Sequence, residues 1–377
     1  MKILHTADWH VGKTLQGRSR AEEHQAVLDD IARVAVEQDI DLTLVAGDLF
    51  DSASPSPEAE RIVFSTLMKL SEHAPVVVIP GNHDNDRRLS ALTPLFALTN
   101  VHVRAGVELE PIEITAHGET ALITCIPWLS QRYIVKAAQL MAHDAAETRG
   151  LYEERMQLIL DVLTKSFRDD TVNVILGHLT LAGGAKGGGE REAQTIFDYW
   201  VNPAIFPASA HYVALGHLHK RQTMPAKAPL HYCGSPLQLD FGESTNEPHV
   251  LIAEAKPKIP AKVTPVKVSG GRPLVTMRGT LDELKRQAKS VADAYLRVFV
   301  RERERVGLGD EVRELFPNAV KVIVEHEEGR KQAERPEMAS HTPHELFEMY
   351  LAEREVEDPR LVKMFDELLE EAQEASV

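Results

Sequence analysis

The stretch Val76–Asp84, reading VVVIPGNHD, constrains this chain more than any other. Its β-branched residues closed by Pro-Gly read as a buried strand. The strand ends by delivering Asn82, His83 and Asp84 into the loop beyond its carboxyl end, which is where open α/β sheets bind ligands. An Asn-His-Asp turn can also be a self-capped loop. The reading therefore depends on whether the same pattern recurs along the chain.

It does recur. Lys2–Ala7 reads as a strand that ends at Asp8 and His10, and Arg20–Gln38 carries Ala26, Val27, Ile31, Val34 and Ala35 at helical spacing. Asp41–Ala46 is a second strand, closed by Gly47 and followed by Asp48 and Asp51. After the Ser/Pro-rich loop Ser52–Pro57, a helix near Glu58 turns Ile62, Val63, Leu67 and Leu70 to one face. Val101–Val103 and Ala121–Pro127 read as strands, the second ending at Trp128, and Arg132–Gly150 and Tyr152–Phe167 read as helices. Thr171–Leu176 leads to Gly177-His178, and His211–Leu215 leads to Gly216-His217-Leu218-His219. His231–Cys233 and His249–Ala253 follow as strands. This alternation implies an α/β domain with a largely parallel sheet covered by helices. Five strand ends carry metal-type side chains, and no internal repeat explains them as duplication.

At 377 residues the chain is too long for one ordinary domain, so one large domain with additions is expected. A composition shift at Lys256–Lys262 marks the expected boundary, giving a domain over 1–255 and a smaller one over 256–330. In the latter, Val263–Val268, Tyr295–Val300 and Val320–Glu325 read as strands. Thr280-Leu281-Asp282-Glu283 matches a capping box, and a short helix is expected near Asp310–Leu315. That suggests a small α+β unit. Residues 331–341 read as a charged linker, and 342–377 as helices broken at Asp358-Pro359. One apolar stripe holds Leu346, Phe347, Tyr350 and Leu351, the other Leu361, Val362, Phe365, Leu368 and Leu369. The stripes either pack on the chain's own domains or dock on a partner.

The formal charge of −15 argues against unaided coating of nucleic acid, which usually needs a basic face. However, the segment Ser340–Val377 holds eleven carboxylates against three cations, so it carries −8 and leaves −7 for the rest. A local nucleic-acid surface on the larger part stays open. No apolar run approaches the roughly 18 residues of a membrane span. The start, MKILHTADWH, reads as a strand bearing ligands rather than an export signal, so export is not expected. Cys125 and Cys233 sit in apolar runs and read as buried reduced thiols, which points to the cytoplasm.

Asp8, His10, Asp48, Asn82, His178, His217 and His219 form the candidate metal set. Carboxylate and imidazole donors suit manganese, iron or zinc better than calcium, and the absence of thiolates argues against a structural zinc site. Seven donors exceed one tetrahedral shell, whereas two ions sharing a bridging carboxylate use them all. Such a pair suits attack on a phosphoryl group. His83, beside the neutral ligand Asn82, is placed to contact the phosphate or protonate the leaving oxygen, with Asp84 fixing its tautomer. His5, His73, His102, His143, His211, His231 and His249 read as ordinary core or surface histidines.

Asp8-x-His10, Gly47-Asp48, Gly81-Asn82-His83-Asp84, Gly177-His178 and Gly216-His217-x-His219 look like the five blocks of the calcineurin-like metallophosphoesterases. Within that superfamily the chain resembles the bacterial DNA-nuclease subunits that work with an ABC-type ATPase. The closer likeness rests on HTADWHVGK, on GDLFD with its Ser/Pro loop, on YCGSPLQLDFGE and on the acidic helical tail. The resemblance implies central β-sheets flanked by helices, a small capping domain that shapes DNA access, and a helical tail that grips the ATPase. It implies two Mn2+ per chain, one held by Asp8, His10, Asp48 and His219 and the other by Asp48, Asn82, His178 and His217, with His83 as the catalytic histidine. It further implies exonuclease and endonuclease action on DNA, a homodimer through the nuclease domain, and a heterotetramer with two ATPase subunits near the nucleoid. One departure is Asp51, which stands where archaeal and eukaryotic relatives carry histidine.

Arg18, Arg87, Lys186 and Lys220 are candidate phosphate contacts, with Arg20, Arg88 and Arg221 nearby in sequence. Gly183–Gly189, GGAKGGG, lacks the ending of a P-loop and reads as a mobile segment near the metals. Two other functions use the same residues: a phosphomonoesterase or cyclic-nucleotide phosphodiesterase, and a non-catalytic scaffold.

Overall fold

The computed structural model describes residues 1–129, 145–190, 200–287, 291, 293–303 and 305–325, with Phe347, Tyr350, Leu351, Leu361, Met364 and Phe365 beyond them. The first half alternates β1 (Lys2–Thr6), α1 (Ala21–Glu37), β2 (Leu42–Ala46), α2 (Pro57–His73), β3 (Val76–Ile79), α3 (Asp86–Phe96) and β4 (Val101–Val103). Then come β5 (Ile112–Ala116), β6 (Glu119–Ile126), α4 (Ala145–Leu163), β7 (Val172–His178) and the short β8 (Thr180–Leu181) and β9 (Trp200–Val201). They are followed by β10 (Tyr212–Gly216), β11 (Gln222–Met224), β12 (Leu230–Tyr232), β13 (His249–Lys256) and β14 (Ile259–Lys267). The last unit is β15 (Leu274–Gly279), α5 (Leu281–Gln287), β16 (Tyr295–Arg301), α6 (Leu308–Leu315) and β17 (Ala319–Glu325).

Where the residue pattern implies one parallel sheet, the structure has two, of order β14-β13-β1-β2-β3-β4 and β11-β12-β10-β7-β6-β5. Both have a parallel centre; the second is antiparallel at both edges, whereas the first is antiparallel only at β13 and β14, its other edge strand β4 running parallel to β3. Side chains alternate across each strand. Ile3, Leu42, Leu44, Val77 and Ile79 point inward to meet Ile123, Val172, Val174, Tyr212 and Ala214 of the other sheet. Leu4, Val45, Val76 and Val78 point outward, under α1 and α2. The outer face of the second sheet packs under α4, on Tyr152, Met156 and Leu160. Because the central strands are buried on both faces, their sequences do not alternate, and one sheet cannot be told from two.

The composition shift at Lys256–Lys262 is a hairpin turn, not a boundary. β14 pairs with β13 from His249↔Lys267 to Lys256↔Ile259 and stays in the first sheet. The small unit follows it: β15, β16 and β17 form a three-stranded parallel sheet, with α5 and α6 on one face over Met277, Val298 and Val300. The capping box closes reciprocally, Thr280 N donating to Glu283 and Glu283 N to Thr280 Oγ1. α3 and β5 were not anticipated; Asn85 caps α3 by accepting Arg88 N at 2.9 Å. Of the expected helix Arg132–Gly150, only its last residues lie among those described, inside α4; the linker 331–341 lies outside them. Among the described residues, no helix is long and apolar enough to cross a membrane.

Candidate metal centre

The parallel strands of both sheets end at one edge, and their following loops converge there. Asp8 N donates to Gly47 O and His10 N to Asp48 O, so the loops after β1 and β2 are zipped together. The close approach of the two sheets requires glycine at 216, where a Cβ would sit 2.0 Å from Ala46 O, and that of the loops after β2 and β3 requires it at 81, where a Cβ would sit 2.1 Å from Asp48 Oδ1. Asp8, His10, Asp48 and His217 hold positive φ values of 53°, 45°, 52° and 101°. Among the described residues, half of the eight non-glycine residues in that region are thus candidate ligands, as expected where backbone strain is held for a site.

Among the described residues the side chains form three groups, Asp8 with His10 and His219, Asp48 with His178 and His217, and His10 with Asp48 and His83, the last linking the other two. His10 Nε2 lies 3.1 Å from His219 Nε2. Asn82 Oδ1 lies 3.0 Å from His178 Nε2 and 2.8 Å from His217 Nδ1. Asp48 Oδ2 is 3.4 Å from His10 Nε2 and 3.5 Å from His178 Nε2, so one oxygen touches the first two groups. Donor atoms about 2.0–2.2 Å from a shared ion stand about 2.8–3.6 Å apart. These spacings match the edges of coordination shells.

Proton placement leads to the same conclusion. Ala46 O can only accept, so His178 Nδ1, at 2.7 Å, carries a proton and leaves Nε2 facing Asn82 Oδ1, where loss of the second proton frees a lone pair for an ion. The Glu243 carboxylate likewise accepts a hydrogen bond from His219 Nδ1–H at 2.7 Å and directs Nε2 inward. Asp8 Oδ2 and His217 Nε2 are buried without a hydrogen-bond partner. Lone pairs facing one another need a cation between them. Burial alone would lower His10 and His178, yet the Asp48 carboxylate outweighs it, holding His10 up at about 10 and His178 at about 9. The pocket draws in positive charge, and its donor set fits a dinuclear metal centre.

His83 is 6% exposed at the mouth, its N–H on Asp48 Oδ1 and its Nδ1 donating to Asp51 O at 3.0 Å. The Asp51 carbonyl therefore sets the His83 tautomer, correcting the role expected for Asp84. The Asp84 carboxylate instead accepts the N–H groups of Leu49, Phe50 and Gly81, tying the second and third loops together. Burial and the neighbouring Asp48 push Asp84 up to about 6. Asp51 itself lies 3.5 Å from His10 Nδ1 and 3.1 Å from Lys13 Nζ.

The Gly-rich segment is clamped where mobility was expected. Glu190 accepts Gly187 N, Gly188 N and His219 N. A Cβ on Gly189 would lie 2.0 Å from Glu243 Oε1 and one on Gly187 2.8 Å from His219 Cβ, so small residues let this loop back the His219–Glu243 pair. Glu243, Glu190 and Trp128 were missed as site residues. Trp128 stacks on His217 with centroids 5.0 Å apart. Glu243 lies in the YCGSPLQLDFGE stretch, but nothing in its spacing marks it as a partner of His219.

Arg18, Arg87, Lys186 and Lys220 are all exposed; Lys220 follows His219 directly, and Lys186 lies in the clamped loop. Arg20 cannot meet a ligand: it is buried against Glu23 and Gln238 O. Arg88 pairs with Glu60. In the tail, Phe347 stacks on Phe365 at 4.1 Å and Leu351 is buried, so the two apolar stripes meet each other at that point. Tyr350 is half exposed and Leu361 partly buried; Leu346, Leu368 and Leu369 lie outside the described residues.

Residues 1–221 match the family model described as calcineurin-like phosphoesterase, the class that this sandwich and its bridged histidine groups define. Residues 271–355 match a second model, described as the type 5 capsule protein repressor C-terminal domain. The chain is 33% identical over 387 residues to the SbcD protein of the SbcCD nuclease from Bacillus subtilis (strain 168), covering 98% of this chain and 97% of that one. It is 30% identical over 313 residues to the protein of the same name from Escherichia coli (strain K12), covering 78% and 74% respectively. The chain belongs to the SbcD family of calcineurin-like phosphoesterases.

Glu243 accepts both His219 Nδ1–H and, at 2.8 Å, Leu239 N–H, and a glutamine has only one oxygen for the two donors. Glu243→Gln is expected to weaken divalent-metal binding about 10- to 100-fold. Competition against a fluorescent chelator measures this; unchanged affinity would show that His219 keeps its orientation without the carboxylate.

Proposed function

We propose that this chain is the nuclease component of an SbcCD-type complex, cutting DNA with two Mn2+ ions in repair and recombination. The observation that carries it is the single Asp48 oxygen shared by two histidine groups, in a chain whose relatives are named as part of a nuclease. Asp8, His10, Asp48 and His219 would hold one ion, and Asp48, Asn82, His178 and His217 the other. A pair of divalent ions supplies charge stabilisation for the phosphoryl group and acidifies the attacking water. Asn82 limits the negative charge around the site, and Asp48 spans it. His83, with Nδ1–H fixed on the Asp51 carbonyl, presents Nε2 as the nitrogen that binds the phosphate or gives a proton to the leaving oxygen. Asp84 positions the loop that carries Asn82 and His83, and Glu243 orients His219.

The action inferred is 3′-to-5′ on duplex ends, with endonuclease action on single strands and hairpins. Arg18, Arg87, Lys186 and Lys220 would contact phosphates around the mouth. SbcC, an ABC-type ATPase, would be gripped by the tail through Leu346, Phe347, Tyr350, Leu361, Phe365, Leu368 and Leu369. Two chains would pair through their nuclease domains with two copies of SbcC, in the cytoplasm near the nucleoid.

Incubating the purified chain with end-labelled duplex DNA and Mn2+, with and without SbcC and ATP, tests the proposal. Expected is metal-dependent shortening, accelerated by SbcC and ATP. Intact DNA in every combination, beside hydrolysis of a cyclic nucleotide or phosphomonoester, would overturn the substrate while leaving the metal pair in place.

A further inference from the structure

The chain carries −15 overall, yet residues 271–325 hold eleven Lys and Arg against nine Asp and Glu. Asp282, Glu283, Asp310, Glu311 and Glu314 belong to α5 and α6, which cover one face of the sheet. The helices also hold Lys285, Arg286 and Arg313, while the face away from them carries Arg278, Arg297, Arg301 and Lys321. The register puts Thr276, Arg297 and Lys321 in one row and Arg278, Phe299 and Ile323 in the next, with Arg301 beside Glu325 beyond.

The centre of this face is Phe299. The guanidinium of Arg278 lies 4.6 Å and that of Arg297 5.7 Å from its ring centroid. Arg278 is 58% and Arg301 52% exposed; two acids reach them, Glu325 at 3.3 Å from Arg278 and Glu283, from α5, at 3.5 Å from Arg301. The face also runs on to the metal centre. Arg297 lies 4.9 Å over Phe241, two residues before Glu243, which holds His219. At the near end, Arg18 and Arg272 approach Tyr295, which packs with Leu15 and Phe241 at the junction of the two units.

We propose that the open face of the β15-β16-β17 sheet, centred on Phe299 among Arg278, Arg297, Arg301 and Lys321, binds single-stranded DNA leading to or from the metal centre. The proposal rests on the nuclease reading and names the form of DNA held beside the site. Spaced cations track a phosphate backbone, while planar phenyl and guanidinium groups offer surfaces on which unpaired bases stack. A duplex hides its base faces and uses only the charge. The face thus selects for a strand that is already unpaired.

The test is anisotropy of a fluorescein-labelled oligothymidylate with the full chain in EDTA, across a salt series, beside a duplex of equal length. Retention of the wild-type number of bound Mn2+ ions by each variant checks its fold. Arg278→Glu with Arg301→Glu is expected to weaken oligonucleotide binding at least tenfold and to reduce the slope of log affinity against log salt by about 1.4. Phe299→Leu, which keeps the surface apolar, is expected to cost about five- to tenfold on the single strand and nothing on the duplex. If every variant binds the oligonucleotide within twofold of wild type while the wild type still cuts duplex DNA, the platform is refuted and the nuclease stands. Equal losses on single strand and duplex for Phe299→Leu also refute it. A wild type that neither cuts DNA nor binds the oligonucleotide overturns the nuclease reading, and this proposal with it.

Discussion

Asp48→Asn is expected to lower Mn2+-dependent DNA cutting at least about 1,000-fold, because a neutral side chain cannot serve two ions. The substitution is nearly isosteric, and its Oδ1 can still accept His83 N–H, so the loop should survive. Calorimetry separates loss of metal from loss of fold. In the metal-free wild type, His10 at about 10 and His178 at about 9 are both protonated at pH 7, and Asp48 is the main reason. Metal ions need the lone pairs, so binding expels about two protons and affinity climbs with pH until those values are passed. Titrating Mn2+ in two buffers of different ionisation enthalpy counts the protons. In Asp48→Asn the imidazoles lose their partner, so the count should fall along with the stoichiometry. Full proton release and two bound ions in the variant would remove Asp48 from the bridging role.

His83→Ala is expected to leave both ions in place and reduce kcat about 100- to 10,000-fold. His83 donates its backbone N–H to Asp48, a contact that alanine keeps, and its ring is not needed to complete the ligand set. Asp84→Asn should behave differently. It retains one oxygen for three N–H donors, so it is expected to cost about 1–3 kcal/mol of stability and to loosen metal binding. A fall in kcat with unchanged Mn2+ affinity for His83→Ala, beside a fall in melting temperature for Asp84→Asn, distinguishes proton transfer from positioning. If the two variants lose the same property, the separation of their roles is wrong.

The metal-type residues were legible because each follows an apolar run, directly or after a glycine, and a parallel strand can only deliver such residues to one edge. The partners behind them were not. Asp84 is next to His83 in sequence, yet successive residues of a tight loop point in different directions, and its carboxylate faces backbone N–H groups instead. Glu243 reaches His219 across a fold-back with no periodic signature. The glycines of Gly187–Gly189 suggest freedom until the neighbours are seen, when their value is closeness. At Lys256–Lys262, lysine and proline resemble a linker because a hairpin turn at a sheet edge needs the same polar residues. The number of sheets was hidden for a different reason: LTLVA in β2 is buried on both faces and says nothing of what lies behind it.

Asp8, His10, Asp48 and Asn82 come from one sheet, and His178, His217 and His219 from the other. Neither half of the sandwich owns a working centre. A nascent or half-assembled chain therefore has no complete donor set, since the histidines facing Asp48 and Asn82 arrive with the second sheet. Once the halves dock, ions held as proposed would each join one to the other. Competence to cut then arrives together with completion of the fold.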